Sequence, residues 1–213
     1  MPGVRVRPVS VEGLVDELVS HIVSREADSF LRVGIDGPAA ADPARLADAL
    51  VDPLRAGGRP AVRVDTADFL RPASLRLERG RTNPDSFYAG WFDEAALARE
   101  VLTPAGPGGS GKILTRFWNA GTDRAAREPY HPLSPGTVVL VSGPVLLGGG
   151  LEFDFTVHLE LTPAALRRRT PPGQEWTLPA FERYAEEVGP AGFADMVVRL
   201  DDPRRPALVV SRE

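Results

Sequence analysis

The chain has 213 residues, 25 basic and 29 acidic, and its formal net charge of −4 argues against a protein that binds nucleic acid through a basic surface. It has no cysteine, and His21, His131 and His158 lack the spacing of metal ligands, so disulfides, cysteine nucleophiles and a metal site are not expected. With 43% hydrophobic residues, no signal peptide and no membrane-length apolar run, the composition predicts one cytoplasmic globular domain over residues 1–213, without a membrane partner.

The first elements in chain order are a helix, a strand and a second helix. Apolar residues at helical spacing after Ser10 predict a helix over 10–26 with that serine as its N-cap. Residues 31–35 read as a short buried strand. After a turn, Asp42 as N-cap and Pro43 at the first helical position predict a helix through residue 50.

The rest of the chain continues this alternation of strands and helices. Strands are predicted over 61–65, 113–118, 137–142, 156–161, 194–200 and 207–210, and helices over 93–102, 163–169 and 179–188. Strands that alternate with helices imply a mainly parallel sheet with helices on both faces. The fold class is therefore a three-layer α/β fold, in which ligands bind at the carboxyl ends of the strands.

Several segments share their order with those of a known family. The first strand-to-helix loop reads GIDGPAAADPA from Gly34, and DTADFLRP at 65–72, NPDSFYAGWFD at 83–93 and FADMVVRLDDPRRPAL at 193–208 follow it. Together they resemble the uridine kinase-like family of P-loop kinases. The resemblance implies the P-loop NTPase fold, with ATP and Mg²⁺ as cofactors and a nucleotide or nucleoside-like small molecule as ligand.

The first loop departs from the family's phosphate-binding motif, G-x-x-x-x-G-K-[ST]. Gly37 is kept, but Asp42 replaces the second glycine, Pro43 the lysine and Ala44 the hydroxyl residue that would hold Mg²⁺. A carboxylate that caps the helix would use the amides that a phosphate needs, and would add negative charge beside them. The loop therefore predicts weak or absent MgATP binding.

The acids that the resemblance implies for catalysis are also displaced. The family's general base falls on Ala67, and Asp65 and Asp68 beside it are the candidate catalytic residues, with surface or capping carboxylates as the alternative. Ser142 stands where the family places an acid that organises the metal, so no metal ligand is assigned.

Basic and aromatic residues remain in the family's binding positions. Arg168 and Arg169, in a lid-like segment over 163–178, join Gly37 and Asp42 as candidates for contact with a phosphate. The alternative for the arginines is a solvated helix end. On the substrate side the candidates, which could equally be core residues, are Phe87, Tyr88, Trp91, Phe92, Arg183 and Tyr184.

A second glycine-rich segment, GPGGSGK at 106–112, contains the chain's only lysine, Lys112. It formally matches most of a P-loop. However, a P-loop needs a strand before it and a helix after it, and here the order is reversed. A glycine-rich turn is therefore the favoured interpretation, and a displaced P-loop is the alternative.

These observations favour a uridine kinase-like protein that has lost ATP-dependent phosphorylation and acts as a binding or regulatory module. One alternative is an active nucleoside or small-metabolite kinase with an atypical phosphate site. Another is a structural subunit that pairs with an active paralogue or with itself. The fold alone does not decide among them.

Overall fold

The computed structural model describes residues 5–25 and 30–210. Its α-helices are α1 (Val11–Val23), α2 (Pro43–Ala56), α3 (Ala73–Arg76), α4 (Pro84–Gly90), α5 (Glu94–Leu97), α6 (Pro163–Arg169) and α7 (Leu178–Glu187). As predicted, Ser10 caps α1, where its hydroxyl accepts a hydrogen bond from the amide of Gly13 at 2.9 Å.

The described strands form one large sheet and two small hairpin-like pairs. The sheet strands are β1 (Arg5–Pro8), β2 (Leu31–Asp36), β3 (Ala61–Asp65), β8 (Val138–Gly143), β9 (Phe155–Glu160), β10 (Met196–Arg199) and β11 (Ala207–Val210). The two-residue strands are β4 (Lys112–Ile113), β5 (Trp118–Asn119), β6 (Arg124–Ala125) and β7 (His131–Pro132).

The seven-stranded sheet has the order β1-β11-β10-β9-β2-β8-β3. The five strands from β10 to β3 in that order are parallel, and β11 and β1 are added antiparallel at one edge. Every residue of β2 and β8 is buried, as expected for strands that are covered on both faces. The sheet is therefore α/β and mainly parallel, as predicted.

Two apolar cores lie on opposite faces of this sheet. Helices α1 and α2 cover one face, where Leu18 and Leu50 are fully buried against strand residues such as Ile35. On the other face, Leu97 and Val101 pack against alternate residues of β3 and β8. The two cores give the three layers that the alternation predicts, and they bring the carboxyl ends of β2, β3, β8 and β9 to one edge.

The structure corrects four predicted boundaries. Helix α2 continues past residue 50 to Ala56. The first helix ends at Val23, with Ser24 as its C-cap, whose hydroxyl donates to the carbonyl of His21 at 3.0 Å. The helix over 93–102 is α-helical only to Leu97 and continues as a π-helical turn. The single strand over 113–118 is wrong: the amides of Leu114 and Phe117 donate to the carbonyls of Glu100 and Asp68, which breaks it into β4 and β5.

Candidate functional site

The loop between β2 and α2 closes on itself before the helix begins. The amide of Gly37 donates to the carbonyl of Gly143 at 3.1 Å, and Ala39–Ala41 form one 3₁₀ turn. Asp42 follows in the left-handed region, with φ 56° and ψ 59°, and α2 starts at Pro43. Left-handed backbone is costly for a residue with a Cβ, although Asp and Asn tolerate it better than most.

Few amides in this segment are left for an anion. Among residues 37–46, two are prolines without an N–H, and five amides donate within the protein. The donating amides are those of Gly37, Ala41, Asp42, Arg45 and Leu46. Only Ala39, Ala40 and Ala44 lack an acceptor in the part of the chain that the structure describes. A phosphate cradle needs a convergent run of free amides, which this loop does not offer.

The predicted N-cap of α2 is confirmed. The Asp42 carboxylate accepts a hydrogen bond from the amide of Arg45 at 3.1 Å. Pro43 is buried at the first helical position, and neither it nor Ala44 carries an ammonium or a hydroxyl. The helix start therefore presents a carboxylate where a P-loop would present a glycine, a lysine and a metal-binding hydroxyl.

A cleft of about 320 Å³ lies between this loop and helix α4. One wall is formed by Asp42 and Pro43, and the floor by Asp65, Thr66 and Gly143. The remaining wall is mostly aromatic and consists of Leu70, Phe87, Trp91, Phe92 and Phe181. A volume of this size, with apolar walls and a few polar groups, is typical of a small-molecule site.

Two polar atoms at the cleft are buried without a partner. The hydroxyl Oγ1 of Thr66, a residue only 2% exposed, and the indole Nε1 of Trp91 make no hydrogen bond in the described part of the chain. A Cβ added to Gly143 would lie 1.9 Å from this hydroxyl, so glycine is required there for Thr66 to take its place. Unsatisfied buried polar groups cost free energy, so these two atoms are unmade hydrogen bonds beside the cleft.

The two candidate acids occupy different surroundings. Asp65 lines the cleft, and its carboxylate accepts from the amide of Ala67 at 2.8 Å; burial raises the pKa of the Asp65 carboxyl, while this amide and Arg63 oppose the rise. Asp68 does not line the cleft and is paired with Arg116 at 2.7 Å. Of the two, only Asp65 is placed to contact a molecule in the cleft. Asp65 is also the N-cap of the 3₁₀ turn that follows β3.

Ser142 is fully buried at the end of β8, next to an arginine rather than a metal position. Its hydroxyl accepts from Arg63 at 3.0 Å, and the same guanidinium pairs with Asp48 on α2. A fixed cation therefore sits beside this strand end, where the family resemblance implies an acid and Mg²⁺. Among the described residues, no group of three or more His, Asp or Glu side chains could hold a metal ion.

The candidate lid arginines bind the protein's own backbone. Arg169 donates to the carbonyl of Leu200, and Arg168 to that of Asp201 at 3.2 Å. Arg167 pairs with Glu182 at 2.8 Å. Neither Arg168 nor Arg169 lines the cleft, but Arg169 lines a separate groove together with the candidate Asp42.

The six substrate-side candidates separate into two groups in the structure. Phe87 is buried and lines the cleft, in ring contact with Trp91 at 5.4 Å between centroids. Arg183 instead lies over the ring of Tyr88 at 4.5 Å, and neither lines the cleft. Tyr184 is a core residue that faces another cavity. Of the six, Phe87, Trp91 and Phe92 line the cleft, whereas Tyr88, Arg183 and Tyr184 do not.

The glycine-rich segment at 106–112 lies at the opposite end of the sheet. A Cβ on Gly111 would touch the ring of Phe30, which immediately precedes β2, whereas the cleft lies beyond the end of β2. The segment follows a π-helical turn and leads into β4, so it is a turn, as favoured from the sequence. Lys112 is exposed and distant from the loop that begins at Gly37.

Some cleft residues were not found from the sequence. Thr66 lies between the two candidate acids, and its position at a strand end was a signal that could have been used. Gln174, Thr177 and Phe181 also line the cleft. They come from the segment that leads into α7 and from α7 itself, and no local pattern indicates their approach to the first loop.

A mainly parallel sheet with this loop at its carboxyl edge is the fold of the P-loop kinases. The chain is similar to a possible uridine kinase from Bacillus stearothermophilus, with TM-score 0.69 and 20% identity over 86% of this chain and 96% of that one. It also matches a candidate fructose transport system kinase from Silicibacter sp. TM1040, with TM-score 0.57 and 17% identity over 87% and 92% of the two chains. A third match is the protein YGR205w, with TM-score 0.52 and 11% identity over 94% and 96%.

Identities at this level show a shared fold. No protein-family model matches the sequence. No curated protein matches it either. None of the helices in the described ranges is both long enough and apolar enough to cross a bilayer.

Proposed function

We propose that this protein binds an uncharged nucleoside-like molecule in the cleft and does not transfer phosphate to it, acting as a binding or regulatory module. The observation that carries the proposal is the start of α2. There the Asp42 carboxylate caps the helix, and Pro43 and Ala44 supply neither a cation nor a metal-binding hydroxyl. Phosphoryl transfer relies on such groups to hold the phosphates and Mg²⁺.

The cleft supports an uncharged ligand with a flat ring. Phe87, Trp91 and Phe92 offer ring faces and edges, and such contacts favour a planar partner. The unpartnered Thr66 hydroxyl can donate or accept, and the indole N–H of Trp91 can donate. The Asp65 carboxylate can accept from a ligand hydroxyl or amide. A nucleoside carries these complementary donors and acceptors without a phosphate.

One variant isolates the ligand-binding role of the unpartnered hydroxyl. Thr66→Val keeps the shape and removes an unsatisfied buried group, so without ligand the protein is expected to become more stable by about 1 kcal/mol. Binding of uridine or adenosine, measured by calorimetry, is expected to weaken by about tenfold, or ~1.4 kcal/mol.

Thr137 provides a matched control far from the cleft. It is equally buried, but its hydroxyl donates to the carbonyl of Ser134 at 2.6 Å. Thr137→Val is expected to lower stability by about 1 kcal/mol and to leave nucleoside affinity unchanged. Equal effects of the two variants on stability and affinity would contradict the assignment of Thr66 to the ligand.

Loss of phosphorylation is tested by titration with ATP in the presence and absence of Mg²⁺. A ligand at a hundredfold excess over its dissociation constant stabilises by about 2.7 kcal/mol. We expect no such thermal shift with MgATP, and a measurable shift with a nucleoside. A clear Mg²⁺-dependent thermal shift with ATP would overturn the proposal that the site does not bind MgATP.

One observation favours the second candidate, an active kinase with an atypical phosphate site. Arg45 and Arg169 line a groove of about 180 Å³ that also contains Asp42. Burial lowers the pKa of the Arg169 guanidinium, and Asp201, Asp202 and Asp42 oppose this effect. If the two arginines hold a phosphate, the wild-type protein should show a thermal shift with ATP. Arg45→Ala and Arg169→Ala should each abolish that shift.

A further inference from the structure

The Asp36 carboxylate at the end of β2 is the centre of a buried hydrogen-bond network outside the cleft. Asp36 is fully buried, and it accepts from the amide of Leu146 at 2.9 Å. Its other oxygen lies 2.7 Å from Nδ1 of His158 on β9 and 3.2 Å from the hydroxyl of Tyr184 on α7. The hydroxyl of Tyr184 also accepts from the amide of Leu147 at 3.0 Å. The network therefore joins the sheet, α7 and the loop after β8.

This network favours one tautomer of the histidine ring. Burial and the charge of Asp36 raise the pKa of Tyr184, so its phenol stays protonated and can donate. Asp36 Oδ2 faces the Tyr184 hydroxyl and Nδ1 of His158, and in the tautomer whose Nδ1–H donates to Asp36, Nε2 of His158 is an acceptor. The ring makes no other hydrogen bond within the described ranges.

The ring of His158 also lines a second cavity, of about 370 Å³. This cavity lies at the carboxyl ends of β9 and β10, under helices α6 and α7. Its apolar lining includes Pro38, Val145, Leu159, Leu161, Leu166 and Phe181. The side chain of His158 is only 10% exposed, and its Nδ1 edge is held by Asp36, so the edge that carries Nε2 is the one available to the cavity.

Each Arg or Glu that lines this cavity has a partner of opposite charge. Arg199 donates to Glu160 at 2.8 Å, and Glu182 pairs with Arg167 at 2.8 Å. Neither pair leaves a net charge that would select an ion. The lining therefore favours an uncharged, mainly apolar molecule that needs one hydrogen-bond acceptor.

We propose that this second cavity is a ligand site, distinct from the cleft, for a small uncharged, mainly apolar molecule with one O–H or N–H donor, which bonds to Nε2 of His158. Phe181 lines both cavities, and the first loop runs between them, with Gly37 and Pro38 on this side and Ala39 and Asp42 on the other. The site uses none of the groups that the proposed nucleoside site uses for hydrogen bonding.

The proton assignment can be tested before any ligand is added. The chain has three histidines, so ¹⁵N-histidine labelling gives three imidazole spin systems, and His158 is assigned by its loss in His158→Gln. Nε2 of His158 is expected to show the shift of an unprotonated ring nitrogen, and Nδ1 that of a protonated one. The opposite tautomer, or an imidazolium at neutral pH, would overturn the proposal.

Phenol and anisole are the probes, because they share a ring and differ in the donor. Phenol is expected to move the Nε2 resonance of His158 in a saturable manner, while the other two histidines do not move. Anisole is expected to bind at least about tenfold more weakly. Equal binding of phenol and anisole, or equal shifts at all three histidines, would overturn the proposal.

Two substitutions on α7 test whether phenol binds in the cavity. Ala185 lines the cavity, so Ala185→Phe should fill it and weaken phenol binding by about tenfold. Glu186 is exposed on the same helix and does not line it, so Glu186→Phe should leave phenol binding unchanged. Unchanged binding in Ala185→Phe would place phenol elsewhere. Nucleoside binding in the cleft is measured separately in both variants.

Discussion

Three substitutions at Asp42 separate its capping role from its backbone conformation. Asp42→Ala removes the hydrogen bond to the amide of Arg45, which costs about 1 kcal/mol. It also leaves a Cβ at φ 56° without the polar end that makes Asp tolerable there, which adds about 1 kcal/mol. The expected loss of about 2 kcal/mol corresponds to a fall in Tm of roughly 4–8 °C in a chain of this size.

Asp42→Gly behaves differently because two of its effects oppose each other. Loss of the cap costs a few tenths of a kcal/mol, and the more flexible unfolded chain costs up to about 1 kcal/mol. Glycine adopts the left-handed conformation without strain, which returns about 1 kcal/mol. The net change is expected within about 0.5 kcal/mol. Asp42→Asn keeps an acceptor and tolerates the same backbone, so it too should change stability by less than about 0.5 kcal/mol.

Urea unfolding of the four proteins, followed by circular dichroism, measures the series. The expected order of stability places the wild type, Asn and Gly variants together and the Ala variant about 2 kcal/mol below them. An Ala variant as stable as the Gly variant would refute both the cap and the positive φ at this position. The triple variant Asp42→Gly, Pro43→Lys and Ala44→Thr tests whether these three groups alone restore MgATP binding. We expect this variant to show a thermal shift with MgATP.

Lys112→Ala should change stability by less than about 0.5 kcal/mol and leave nucleoside binding unaltered in calorimetry, because the side chain is exposed on a turn. Tyr184→Phe should cost about 1–3 kcal/mol in urea unfolding, since two buried partners, Asp36 among them, lose a hydrogen bond. The ion pair of Asp154 with buried Arg32 at 2.8 Å lowers the pKa of the Asp154 carboxyl. Its contribution is therefore complete above the unfolded pKa of about 4, and is lost as pH falls through the lower folded value. Asp154→Asn should cost about 1–3 kcal/mol at pH 7, since Arg32 keeps its pair with Glu152, and should reduce the acid dependence of stability.

For each of these three variants, one measured outcome would contradict the prediction. Nucleoside affinity that falls tenfold in the Lys112 variant would revive a displaced phosphate loop. A Tyr184→Phe protein as stable as the wild type would show that the phenol is not the donor to Asp36. An Asp154→Asn protein whose stability between pH 5 and 2 declines as steeply as that of the wild type would assign the acid dependence to other carboxyls.

The elements that depend on local pattern were predictable from the sequence. Asp42 followed by Pro43 predicted the cap and the helix start, and β-branched runs predicted β8 and β9. Strand β1 was not predicted, since its four residues are all exposed and it is defined only by pairing with β11, some two hundred residues away. Local periodicity carries no information about such a partner.

The sequence indicated cleft residues only within segments that resemble the family's motifs. Asp65 and Phe87 do line the cleft. For Arg168 and Arg169 the sequence did not distinguish contact with a phosphate from a solvated helix end. In the structure both side chains donate to backbone carbonyls that follow β10. The contact between Asp36 and His158 spans 122 positions, so no local pattern in the sequence indicates it.

The capping carboxylate makes the start of α2 a position that is already occupied. Because Asp42 is part of the chain, it competes for the amide of Arg45 at an effective concentration on the order of millimolar or higher, however dilute the protein is. An incoming phosphate would have to displace this tethered anion and then remain beside its negative charge. A neutral molecule in the adjoining cleft meets no such competitor. If the proposed function is right, the side chain that caps α2 also weakens the binding of phosphorylated ligands.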